Sequence, residues 1–137
     1  MDWKNLYLSM EGRTNRQPFW LGIVVLVIVT WILEFILFTA FGVSLIPSMD
    51  PNADPAAAAA AASAMMGKMA VPLIILALLI LWPNLCLYAK RWHDRDKSGW
   101  WTLIMFVPLI GSIWLLVELG FLRGTPGPNR FGPDPLA

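Results

Sequence analysis

Three long apolar blocks separated by short polar segments dominate the chain. The first, FWLGIVVLVIVTWILEFILFTAF, covers residues 19–41; the second, AVPLIILALLILWPNLCLYA, covers 70–89; the third covers 100–122. Each is close to the ~20 residues a helix needs to cross a hydrocarbon core roughly 30 Å thick. The pattern predicts an all-α, polytopic membrane protein with three transmembrane helices. Residues 1–18 place Trp3, Leu6 and Tyr7 at helical spacing ahead of the first block. They fit a short N-terminal helix lying at the interface, with an ordered arm of no special role as the alternative. The first block begins late and is long for the apolar core of a cleaved signal peptide, so it reads as a retained span.

The segments between the blocks carry the punctuation. Residues 43–68 leave the membrane through Pro47, Asp50, Pro51, Asn52, Asp54 and Pro55, which favour a loop. An alanine tract follows from Ala56 to Ala62. It has high helix propensity but too little hydrophobicity to span, so it either extends the next helix outside the bilayer or stays partly disordered. Pro83 predicts a kink near the polar end of the second span. Pro108 and Gly111 interrupt the third block. A simple crossing is the first expectation there, and two half-helices meeting at a turn are the alternative. Residues 123–137 form a Pro- and Gly-rich tail.

Charge then sets orientation. The chain has 137 residues, is 58% hydrophobic and 14% charged, and carries a formal charge of +1, which gives no electrostatic case for nucleic-acid binding. Seven cations, Lys4, Arg13, Arg16, Lys90, Arg91, Arg95 and Lys97, fall on one side of the expected spans, against Lys68, Arg123 and Arg130 on the other. Loops rich in Lys and Arg stay inside, so the N-terminus and residues 90–99 are expected in the cytoplasm. A full third crossing would put the tail outside; a turn within it would return the tail to the cytoplasmic side. Cys86 is the only cysteine, which excludes an intrachain disulfide and a cysteine-based metal cluster.

Three polar clusters border the blocks: GRTNRQPFW (12–20), KRWHDRDKSGWW (90–101) and GTPGPNRFGPDP (124–135). The middle one has two readings. In the first, its cations fix topology, Asp94 and Asp96 offset their repulsion, and Trp100 and Trp101 anchor the span. In the second, Arg13, Arg16, Arg91, His93 and Asp94, with Ser98 close by, form a cytoplasmic pocket for an anionic headgroup or phosphorylated solute, because guanidinium forks match phosphate oxygens. His93 is the only histidine and no metal-ligand spacing surrounds it. Ser98 lacks a nucleophile-elbow context. No catalytic residue, metal or cofactor is therefore expected. In the tail, Asn129, Arg130 and Asp134 alternate with glycines and prolines. That composition suits consecutive turns that present side chains, or else a flexible terminus.

Glu34 and Glu118 fall inside the blocks, where an ionisable group is costly. Counted along straight helices, both lie in the outer half of the bilayer and could share a proton; the alternative is that each is satisfied by a neighbour such as Thr30 or Ser112.

The clusters GRTNRQPFW, RWHDRDKSGWW and GTPGPNRFGPDP, in this order between apolar spans, closely resemble the bacterial inner-membrane family called domain of unknown function 805. Arg91, His93, Asp94, Ser98, Gly99 and Trp100 match its middle motif, while Lys90 and Trp92 replace an Arg and a Leu, and the long alanine-rich loop departs from it. The resemblance implies an inner-membrane protein and supplies no reaction. Together these readings predict a non-catalytic structural or interaction module whose partners are membrane lipids, other membrane proteins or itself. The competing reading is binding or transport of a lipid or small anionic solute.

Overall fold

The computed structural model describes residues 2–44 and 51–137. The expected turn at Pro47 and Asp50 lies outside the described residues. Among those described, every regular element is helical apart from an isolated antiparallel bridge between Asn129 and Gly132.

Helix α1 spans Trp3–Leu8, and its N-cap Asp2 accepts a hydrogen bond from the Asn5 amide at 3.1 Å. Helix α2 spans Arg16–Ala40 and helix α3 spans Pro55–Asp94. Both are long and apolar enough to cross a membrane. Only 17% and 22% of their most apolar stretches are buried, which is the reverse of a core helix in a soluble protein. Trp31, Phe35, Ile74 and Leu78 are each at least 60% exposed, an arrangement whose natural solvent is lipid. The 40 residues of α3 would extend to roughly 60 Å, about twice a hydrocarbon core. The alanine tract accordingly forms its first turns. The helix also continues through Pro83 and Asn84.

The chain divides into two compact units, Met1–Val27 with Leu81–Ala137, and Ile28–Ile80. The second contains the remainder of α2, the end of which is closed by Gly42 at φ +65°, with the Val43 amide donating to the Phe38 carbonyl at 2.8 Å. Glu34 lies in this unit, half-buried. The first unit has a small core of Leu6, Phe19, Leu26, Leu87, Trp92 and Leu119. Gly22 lets α2 sit against Leu87, since a Cβ there would lie 3.1 Å from a Leu87 methyl.

Residues 99–121 depart from the single helix expected over 100–122. A 3₁₀ helix, Gly99–Phe106, is capped by the Ser98 hydroxyl. A turn follows with Leu109 at φ +64°, then helix α4 (Ile110–Leu115), then a π-helical turn (Leu116–Phe121). The reversal has a local cause. Pro108 has no amide to continue the 3₁₀ pattern, and Gly111 packs so closely that a Cβ would fall 1.9 Å from the Ile104 carbonyl oxygen. The two halves therefore fold onto each other as a hairpin, and the residues after it come back to the polar end of α3.

Candidate functional site

The hairpin and tail expose a run of backbone carbonyls that have no helical partner, and buried carbonyls need donors. Side chains from the polar ends of α2 and α3 supply them. The Leu119 and Leu122 carbonyls accept from Arg91, Gly120 from the Trp20 indole at 3.1 Å, Phe121 from Arg16 at 3.1 Å, and Arg123 from Arg95. Arg13 continues the series, donating to the Thr125 and Gly127 carbonyls at 2.7 Å each. Four arginines and a tryptophan thus hold the end of the π-helical turn and the start of the tail.

At the centre lies Asp94, in the last turn of α3. One carboxylate oxygen accepts from Arg13 at 3.1 Å and the other from Arg91. All three side chains are at most 3% exposed. Burying charge is tolerated only with full pairing, and the geometry meets that condition: two guanidiniums share one carboxylate, and their remaining N–H groups reach carbonyls. The Asp94 backbone carbonyl accepts from both the amide (2.8 Å) and the hydroxyl (3.1 Å) of Thr125.

The remaining motif residues join the same cluster. His93 Nδ1 lies 3.2 Å from the Gly12 carbonyl, which can only accept, so that nitrogen carries the proton. Its ring stacks on Phe131 with centroids 3.9 Å apart. Asn129 donates to the His93 carbonyl and to the Thr125 hydroxyl, both at 2.9 Å. Arg130 pairs with Asp96 at 3.2 Å on the exposed side. Asp134 accepts from the Leu136 and Gly127 amides, and these two N–H groups hold its carboxyl below the usual aspartate range, helped by Arg13 and Arg123 nearby. Ser98 only caps the 3₁₀ helix.

The structure therefore brings together Arg13, Arg91, His93, Asp94, Asn129, Arg130 and Asp134, and it alters the chemistry expected of them. The guanidiniums of Arg13 and Arg91 are consumed by Asp94 and by carbonyls, so they do not form an open anion pocket. The space beside them, between Arg16, Arg123 and Asp94, holds about 10 Å³, room for one water-sized group. Glu118 also departs from expectation. Because the chain reverses at Leu109, its carboxylate lies beside the loop after α3, where it accepts from Arg95 at 2.8 Å and from Lys97. Those two cations satisfy it. Sequence reasoning missed Trp20, Arg95 and Gly124 as members of the site. Gly124 carried a signal only in opening the tail motif.

The chain is similar along nearly its whole length to Inner membrane protein YhaH of Escherichia coli K12, at 32% identity over 98% of this chain and 97% of the relative. A 54-residue stretch is 50% identical to Inner membrane protein YhaI of the same organism, covering 39% of this chain and 44% of the relative. No solved structure matches. The family described as "Protein of unknown function (DUF805)" matches residues 7–133, a range that holds nearly all of the arginine clasp and tail cluster just described, and the chain belongs to this family of inner-membrane proteins.

Proposed function

We propose that this protein is a non-catalytic structural or interaction module of the bacterial inner membrane, built to hold a fixed cap on one end of a two-helix anchor. In this reading α2 and α3 cross the bilayer, and residues 99–121 form a re-entrant hairpin that enters from and returns to the cytoplasmic side. The N-terminus, the loop after α3 and the tail all lie in the cytoplasm. One observation carries the reading: Asp94, shared by Arg13 and Arg91, ties segments from all three motifs into a single buried cluster. A tail on the opposite side of the membrane could not reach it. The cluster spends most of its polar groups on its own backbone, which suits a rigid platform. The exposed apolar belts of α2 and α3 provide the surface for lipid and for partner helices.

Single-cysteine labelling in intact cells, in a Cys86→Ala background, tests the topology. Glu11→Cys and Pro135→Cys are expected to be protected until the membrane is permeabilised, and Ala59→Cys to label at once. Labelling of Pro135→Cys in intact cells would mean a third full crossing and would defeat the clasp as the basis of function.

A further inference from the structure

Six arginines lie in the first unit, and four have a carboxylate partner: Arg13 and Arg91 on Asp94, Arg95 on Glu118, Arg130 on Asp96. Arg16 and Arg123 have none, and both are exposed. Arg16 makes one hydrogen bond, to the Phe121 carbonyl; the exposed Arg123 guanidinium makes no side-chain hydrogen bond or ion pair among the described residues, and it lies near enough to Asp134 to help hold that carboxyl down. The two line the same water-sized notch. Asn15 lines it too, and its side-chain oxygen is shut off from solvent without a hydrogen-bond partner. The acids beside the notch are already engaged, Asp94 by two guanidiniums and Asp134 by two backbone amides. A pair of exposed guanidiniums without a direct ion-pair partner, beside an unsatisfied acceptor, suits a phosphate accompanied by a hydroxyl.

One turn along α2 from Arg16, the indole of Trp20 forms a wall of an apolar cleft of about 330 Å³. Phe19, Ile23, Tyr88, Ser112 and Leu119 also line it. The Phe121 and Gly120 carbonyls, which hold Arg16 and Trp20 respectively, are adjacent in the chain. Arg16 therefore stands at one end of the cleft, with Arg123 beside it across the notch, and the volume is within the range of small-molecule sites. We propose that this cleft seats an acyl chain of one anionic phospholipid, whose phosphate lies on Arg16 and Arg123 and whose headgroup hydroxyl enters the notch to donate to Asn15. Phosphatidylglycerol has that chemistry. The charge at the water end and the apolar length behind it are matched by a lipid, whereas a free phosphate would use only the arginines.

The test uses the full chain, reconstituted in phosphatidylcholine bilayers doped with phosphatidylglycerol, extracted and weighed intact by native mass spectrometry. One phosphatidylglycerol per chain is expected to be retained in preference to phosphatidylcholine. Arg123→Gln, which removes no side-chain hydrogen bond or ion pair and so should leave the fold intact, is expected to lower retention several-fold, and Arg16→Gln with Arg123→Gln about tenfold or more. Ser112→Trp, which fills the cleft and leaves both arginines in place, should also lower it. Equal retention of phosphatidylcholine, or no effect of Arg123→Gln, would overturn the proposal. Displacement by glycerol 3-phosphate with no effect of Ser112→Trp would equally overturn it, by showing a soluble-anion site in place of a lipid seat.

Discussion

Gly124 lies directly on the carboxylate of Asp94: a Cβ at Gly124 would fall 2.0 Å from one oxygen and 2.7 Å from the other. The tail can therefore approach the buried arginine pair only because residue 124 has no side chain. Those oxygens cannot retreat, because each is fixed by a guanidinium. Gly124→Ala is expected to push the tail away from α3, breaking the bonds from Thr125 to the Asp94 carbonyl. The cost should be at the upper end of an overpacking penalty, about 3 kcal/mol. A lowered melting temperature in detergent, together with rapid proteolysis after residue 123, would show it.

Asp94 itself balances two buried cations. Asp94→Ala leaves Arg13 and Arg91 buried without a counter-charge, a change that costs roughly 3–5 kcal/mol. Arg13→Lys keeps the charge but loses the fork that reaches Asp94 and the Thr125 and Gly127 carbonyls together. Loss of folded protein from the membrane fraction is expected for Asp94→Ala, and a partial loss for Arg13→Lys. If the two behaved alike and mildly, the cluster would not be what holds the tail.

The parts of this architecture that were legible in the sequence are those fixed by local constraints. Bilayer thickness sets the length of an apolar run, so helices over residues 19–41 and 70–89 could be read directly, and the spacing of Trp3, Leu6 and Tyr7 offered α1 as one of two readings. The hairpin was legible only as an alternative. Pro108 and Gly111 mark an interruption, but the reversal depends on Gly111 meeting the Ile104 carbonyl, a tertiary contact. Glu118 was misplaced for the same reason, since its depth was counted along a straight helix. The three motifs were recognised as a set, yet Arg13 and Arg91 looked like anion ligands because most of their partners are backbone carbonyls of residues 119–127, which have no signature in side-chain identity.

The hairpin gives a contrast between two glycines. A methyl at Gly111 would collide with backbone, the Ile104 carbonyl at 1.9 Å, while nothing lies within 4 Å of one at Gly67 in α3. Gly67→Ala is expected to be neutral or to stabilise by up to about 1 kcal/mol, through helix propensity. Gly111→Ala should open the hairpin and release the carbonyls held by Arg91 and Trp20. Thermal melting of the two variants in the same detergent is the comparison; equal melting temperatures would mean that residues 99–121 do not depend on the close approach at Gly111.

Acid should loosen the tail through Asp134. Its carboxyl is held below the ordinary aspartate range by the amides of Leu136 and Gly127, with Arg13 and Arg123 adding to the effect. A depressed folded-state pKa means that the unfolded tail binds the proton more readily. The contribution is therefore complete above the ordinary aspartate value of about 4 and is lost as the pH falls through the lower folded value. Hydrogen exchange at the Gly127 amide should stay slow down to about pH 4 and then show extra opening below it. Asp134→Asn keeps a carbonyl acceptor but cannot titrate, so its tail should be less protected at neutral pH and lack that acid-dependent step. Persistence of the step in Asp134→Asn would show that Asp134 is not the group that loosens the tail in acid.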